Sequence, residues 1–161
     1  MCVDIGLCHT GVAVYDFSSK RFVYLDCINT SKDEGSKAQD NIKRCRLMYL
    51  RLVAIAERYK VTHAAVELPH GGARSSRAMA AMAMATAVTA CFVAAAQVEF
   101  FPVTPLQIKR LVSPTGRAVS KEEVQEYVSR RFGDILPAGS NKEHIADAVM
   151  CLEVYQNQKL K

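Results

Sequence analysis

The chain begins with a short apolar run, CVDIG, interrupted by a single charge at Asp4. HTG then reads as a tight turn, VAVYDF alternates apolar with polar positions, and SSK turns into another strand-like run, RFVYLDCI. Short runs of this kind joined by polar turns predict three strands in an antiparallel meander. From Asn29 the stretch NTSKDEGSKAQDN is polar and contains glycine, which reads as a loop.

The period changes after that loop. From about Lys37 to Lys60 the apolar residues fall at Ile42, Cys45, Met48, Leu52, Ile55 and Tyr59, a three-to-four spacing that predicts an amphipathic helix with a basic outer face. THAAVEL returns to strand composition and ends at Pro69. PHGGARSS is a second flexible stretch, in which Ser75 or Ser76 is placed to cap an Ala-rich helix. VEFFPV predicts a further strand, TPLQIKRLV a short helix entered through Thr104 and Pro105, and SPTGRAVS a loop. Ser120 with Glu123 three residues on is a capping-box pattern opening a helix to about Phe132, and a last helix runs from about Lys142 to Gln156. Three antiparallel strands followed by alternating helices and strands predict an α/β fold: a mixed five-stranded sheet with helices on both faces.

The Ala-rich segment raises the question of a membrane. Ala78 to Val98 carries no charge and is long enough to span a bilayer. Its alanines, with Thr86, Thr89 and Gln97, keep its hydrophobicity low for a lipid-facing helix. It therefore predicts a buried helix and no membrane, the small residues allowing close approach to the sheet or to a second subunit.

Size and charge narrow the reading further. At 161 residues and 17.8 kDa, with no linker-like stretch, the chain predicts a single domain over residues 1–161. Lys and Arg total 21 against 16 Asp and Glu, a formal charge of +5 that permits a polyanionic partner without demanding one. The basic residues collect at Lys43, Arg44 and Arg46, at Arg74 and Arg77, at Lys109 and Arg110, at Arg117 and Lys121, and at Arg130 and Arg131. Six cysteines are scattered without a CxxC pair, which predicts reduced thiols and a cytoplasmic setting. The absence of a basic leader before MCVDIG agrees with that setting. Cys8 stands apart from the other five, in a glycine-bounded turn beside Asp4.

The candidate chemistry lies in acids that interrupt apolar elements. Asp4 sits between Val3 and Ile5, where a charge is costly unless it meets cations or donors, or faces water from an edge strand. Glu67 closes an otherwise apolar strand in AAVELP. In HIADAVM, His144 and Asp147 are three residues apart and share one helical face. Hard carboxylate oxygens with one imidazole and no thiolate pair suit Mg2+ or Mn2+ rather than structural zinc. Two such ions, with Asp4 as the bridging carboxylate, would orient water for in-line attack on a phosphodiester and stabilise the departing oxygen.

Four segments, in order, carry a resemblance over nearly the whole length. CVDIGLCHTGVAV, AAVELP, TPLQIKRLVSPTGRAVSKEEV and HIADAVM resemble the corresponding segments of RuvC-type Holliday junction resolvases, members of the RNase H-like superfamily. The resemblance implies an RNase H-like fold and a crossover junction endodeoxyribonuclease that uses two Mg2+ ions, with Mn2+ as a substitute. It implies metal ligation by Asp4, Glu67 and Asp147, with His144 as the fourth ligand, and catalytic Lys109 and Lys121 near the cut phosphate. It further implies a homodimer making paired cuts in a four-way junction. Arg74, Arg77, Arg110 and Arg117 are candidate DNA contacts by their charge.

Two departures stand out. LPHGGARSS has no Phe, Tyr or Trp where resolvases of the bacterial housekeeping type carry an aromatic residue in a mobile loop, and the SPTGR loop varies the family's glycine loop. Both fit a divergent branch, such as a phage-borne relative acting on branched replication DNA, flaps or forks in a bacterial or infected-host cytoplasm. An RNase H-like ribonuclease cutting hybrids and a non-catalytic dimer binding branched DNA are the rival readings.

Overall fold

The structure, a computed structural model, describes residues 1–31, 36–68, 75–115, 117–139 and 141–159. Its elements run β1 (Cys2–Asp4), β2 (His9–Asp16), β3 (Arg21–Asn29), α1 (Lys37–Arg58), β4 (His63–Glu67), α2 (Ser76–Ala96), β5 (Glu99–Val103), α3 (Pro105–Val112), α4 (Lys121–Phe132) and α5 (Lys142–Lys159). The strands form one five-stranded sheet in the order β3-β2-β1-β4-β5. β1, β2 and β3 pair antiparallel as expected, while β1 with β4 and β4 with β5 pair parallel, giving the mixed sheet.

Strand alternation sorts the side chains between two cores. Val3, Ile5, Val12, Val14, Ala64 and Val66 point to the face covered by α1 and α2, where Met48, Leu52 and Phe92 complete the packing. Cys2, Ala13, Ala65 and Val103 point to the other face, against α3, α4 and above all α5, whose residues from Ile145 to Val154 are buried except Asp147, which is partly buried. Helices do cover both faces.

Local chemistry explains where the helices start. Ser36, Thr104 and Ser120 each accept a hydrogen bond from the backbone N–H three residues on, while Gln39, Gln107 and Glu123 reach back to close capping boxes. Ser75, rather than Ser76, caps α2 through the N–H of Ala78. α5 continues to Lys159, beyond the expected Gln156.

Two expectations are corrected. His9, Thr10 and Gly11 are not a turn: they begin β2, and the chain reverses between Ile5 and Cys8. Gly11 pairs with Asp4 and so belongs to the ladder, while Thr10 is buried and donates from Oγ1 to the Gly6 carbonyl at 2.7 Å. The Ala-rich helix is also not interior. α2 buries Ala85, Val88, Thr89 and Phe92 against the core and leaves most of its circumference exposed, although it is long and apolar enough to cross a membrane. Alanine removes little apolar area from water, so one stripe ending in Phe92 is enough to dock the helix.

All six cysteines are free thiols. Cys8 is exposed, and its Sγ lies 3.2 Å from Nη1 of the buried Arg44, whose Nε is paired with Asp40 at 3.2 Å.

Candidate active site

Asp4 and Glu67 are the last residues of neighbouring parallel strands and stand opposite each other in register. Alternation turns both toward α5, since their i−2 neighbours Cys2 and Ala65 lie in the core on that side. An acid in each of these short apolar strands is therefore not facing solvent from an edge. β1 is interior to the sheet, and its carboxyl end opens where ligands of such sheets usually bind.

α5 delivers the other half from its first two turns. Gly11 makes the approach possible: a Cβ there would lie 1.8 Å from the His144 carbonyl oxygen, so only glycine lets the helix come this close to β2. The His144 ring then reaches Asp4, with Nδ1 2.9 Å from Oδ2, and its Nε2 lies 3.5 Å from Glu143 Oε1. The bond to Asp4 raises the pKa of His144 against the opposing effect of burial.

Glu67 and Asp147 are strongly perturbed. Burial, followed by repulsion from Asp4 and Asp147, pushes Glu67 up to about 8, with Lys109 pulling the other way. Burial and the charge of Asp4 push Asp147 up to about 7, partly opposed by His144 and Lys121. Asp4, Glu67 and Asp147 thus act on one another, and His144 is bonded to Asp4. Among the described residues, no three His, Cys, Asp or Glu side chains already converge at metal-ligating spacing. Asp4 is directed at His144 and Glu143 at Lys121, so the donors first satisfy one another.

The basic candidates divide. Lys121, the first residue of α4, pairs with Glu143 at 2.6 Å on the rim, which raises the lysine and lowers the glutamate. Lys109 and Arg110 are exposed in the last turn of α3, with Lys109 close enough to act on Glu67. Arg77 lines a cavity of about 380 Å3 with Cys8, Lys37, Asn41 and Arg44 between the starts of α1 and α2. Arg117 is committed elsewhere, with Nη1 donating to Glu123 at 3.1 Å and to the Ala118 carbonyl at 2.9 Å. Arg74 lies outside the described residues.

Two site residues escaped the sequence reading. Glu143 precedes His144 and holds Lys121, and nothing in the pattern HIADAVM announces it. His9 stacks on His144, with ring centroids 5.2 Å apart and planes 16° apart. Its signal was the two-residue spacing from Gly11, visible only once HTG is recognised as strand.

Comparison with known proteins gives a consistent result. The family model described as crossover junction endodeoxyribonuclease RuvC matches residues 1–152. A protein of that description from Pelotomaculum thermopropionicum is 30% identical over 149 residues, covering 92% of this chain and 87% of the relative. Another from Methylobacillus flagellatus is 28% identical over 152 residues, covering 92% and 81%. Among solved structures, T. thermophilus RuvC in complex with Holliday junction substrate superposes with a TM-score of 0.75 at 19% identity, over 98% of this chain and 94% of that one. A second Thermus thermophilus RuvC structure gives 0.72 at 22% identity, over 97% and 93%. The fold shared with these structures is the RNase H-like α/β arrangement of a mixed sheet with flanking helices.

Proposed function

The chain belongs to the RuvC family of crossover junction endodeoxyribonucleases, and from that premise we propose that it is a single-domain, divalent-metal-dependent nuclease that resolves four-way DNA junctions by paired phosphodiester hydrolysis. The observation that carries this reading is the register of Asp4 beside Glu67 on parallel strands, with His144 and Asp147 brought over them by α5.

The residues fit a hard divalent cation. The donors are three carboxyls and an imidazole without a thiolate, and Glu67 and Asp147 are crowded acids whose repulsion a cation would relieve. Asp4, Glu67, His144 and Asp147 would hold Mg2+ or Mn2+, proposed as two ions per site. When bound, such ions activate water and stabilise the leaving 3′ oxygen.

The chain's own groups hold the strand and balance its charge. Lys121 exchanges Glu143 for a phosphate oxygen, moving a cation onto the charge that develops at the scissile group. Lys109, beside Glu67, holds the backbone near the cut, and Arg77 and Arg110 meet phosphates further along. Arg74 is a further contact of this kind, and Arg117 joins only if it leaves Glu123. Contacts of this kind position branched DNA without reading its sequence.

Symmetric cutting calls for a homodimer, and the exposed side of α2 supports one. Together with α1 it forms an apolar groove lined by Ile42, Cys45, Tyr49, Met84, Val88 and Cys91, suited to a second copy across a two-fold axis. The proposed setting is the cytoplasm, where free thiols persist.

End-labelled four-way junction, Y fork, 5′ flap, linear duplex and RNA–DNA hybrid, incubated with Mg2+ or Mn2+, test the reading. Paired symmetric nicks on the junction, absent from duplex and lost in Asp4→Asn, are expected. Cutting confined to flaps, forks or hybrid would overturn junction resolution, and tight binding with no cleavage in either metal would reduce the protein to a binding module.

A further inference from the structure

His9 is exposed on β2, yet two side-chain contacts tie it into the site. Its register partner across the β2–β3 ladder is Asn29. Asn29 Nδ2 donates to the Cys27 carbonyl at 3.2 Å, which fixes the amide orientation and leaves Oδ1 directed at His9. His9 Nδ1 lies 2.8 Å from that oxygen and must therefore be the donor. Held this way, the His9 ring lies nearly parallel against His144, whose own Nδ1 meets Asp4 Oδ2 at 2.9 Å.

One hydrogen bond fixes the position of a ring nitrogen but leaves the ring free to swing about the bond. A flat surface packed against the ring removes that freedom. We propose that His9 is a positioning residue, braced by Asn29, that sets the plane of His144 and thereby aims its imidazole at the carboxyl cluster. This inference rests on the proposed metal-binding role of His144. The chain of support crosses four elements, from the Cys27 carbonyl on β3 through Asn29, to His9 on β2, to His144 on α5 and to Asp4 on β1. His9 is neither one of the proposed metal ligands nor one of the proposed DNA contacts. Its effect must therefore pass through His144, and an aromatic ring that keeps the flat face but loses the bond to Asn29 must preserve part of it.

Mn2+ titration by calorimetry and junction cleavage, on wild type, His9→Ala, His9→Phe, His144→Ala and the double variant His9→Ala/His144→Ala, test this, with circular dichroism to confirm folding. His9→Ala is expected to lower Mn2+ affinity and kcat by roughly ten- to a hundredfold, the range for groups that orient metal ligands, with KM unchanged. His9→Phe should recover part of both, because it keeps the flat face without the bond to Asn29, and removing His9 should add nothing once His144 is absent. Wild-type Mn2+ affinity in His9→Ala, a His9→Phe variant as weak as His9→Ala, or an undiminished effect in the His144→Ala background would each overturn the proposal. The two readings fail separately. Loss of Mn2+ affinity in His9→Ala from a wild type that cuts no branched DNA would leave the positioning role intact and remove the resolvase, whereas normal metal binding in His9→Ala from an active resolvase would remove only the positioning role.

Discussion

α2 and α5 reverse the usual link between apolarity and burial. From Ala78 to Ala96, α2 carries no charged residue, yet most of its surface faces outward. α5 carries His144, Asp147 and Glu153, yet it is the most deeply buried helix, with Ala146, Ala148, Val149, Met150 and Cys151 fully enclosed. A charge kept inside a packed helix is costly and calls for a reason. At Asp147 the proposed reason is metal binding, and at Glu153 it is Arg131, 2.7 Å away on α4. Apolar surface left outside calls for a reason as well, and a second subunit would supply it.

The largest effect should come from the charged residue in the buried helix. Asp147→Asn is expected to reduce junction cleavage on the order of a thousandfold or more, as for loss of a key electrostatic group, while raising the metal-free melting temperature at pH 8. The amide keeps the shape and removes one of the charges that crowd Glu67. Cleavage kinetics and thermal denaturation check both halves, and a variant that is inactive because it unfolds would break the contrast between function and stability at this position.

Equal truncation of apolar groups should separate the helices next. Leu152→Ala on α5, at 2% exposure, should cost about 2–5 kcal/mol in urea denaturation, the usual range for such a cavity. Ala87→Arg on the exposed side of α2 should change protomer stability by no more than about 0.5 kcal/mol. It should nonetheless convert a dimer to a monomer in light scattering, because it plants a charge in the α1–α2 groove. A mass unchanged from wild type would mean that this face is not the subunit contact.

The same contrast explains what could be read from sequence. Asp4, Glu67 and Asp147 were legible because each is a charge in an apolar pattern, and the helix starts at Thr104 and Ser120 because capping is local chemistry. The surface position of α2 was not legible: an alanine run states what a helix avoids in water but not how much of its circumference the protomer covers. His9 was lost through a shift in the turn boundary. Assigning HTG to the turn removes the alternation that places His9 and Gly11 on the face of α5, whereas the register of Gly11 with Asp4 restores it. The pairing of Glu143 with Lys121 is a contact between two helix starts, and no local pattern encodes it.

A smaller effect should appear in the pH dependence of stability. Folding raises Glu67 from 4.5 to about 8 and Asp147 from 3.8 to about 7, and it also raises His144. In each case the folded protein holds a proton that the unfolded chain has released, so metal-free stability is greatest below the unfolded values and declines as pH rises through the folded ones. In EDTA the melting temperature should therefore fall by several degrees between pH 5.5 and 8.5, at about 2–4 °C per kcal/mol for a chain of this size. Mg2+ should flatten the slope. A melting temperature that climbs with pH in EDTA would show that these acids are not held apart from their ordinary behaviour by the fold.

The buried polar groups of the two helices give the finest test. Thr89 on α2 donates to the Ala85 carbonyl of its own helix at 3.0 Å, so its partner does not depend on any other element. Thr89→Val removes the hydroxyl while the carbonyl keeps its helical geometry, and the expected loss is under about 1 kcal/mol. Glu153 depends on Arg131 across the α4–α5 contact, with the glutamate buried and the guanidinium more than half exposed. Screening on the arginine side limits the pair, but neutralising the buried partner leaves Arg131 with a weaker acceptor, so Glu153→Gln should cost about 1–2 kcal/mol. The order matters more than either value. If Thr89→Val proved the more harmful, α2 would depend on internal polar bonding as much as α5 does, and its exposed surface could not be read as spare apolar area awaiting a partner.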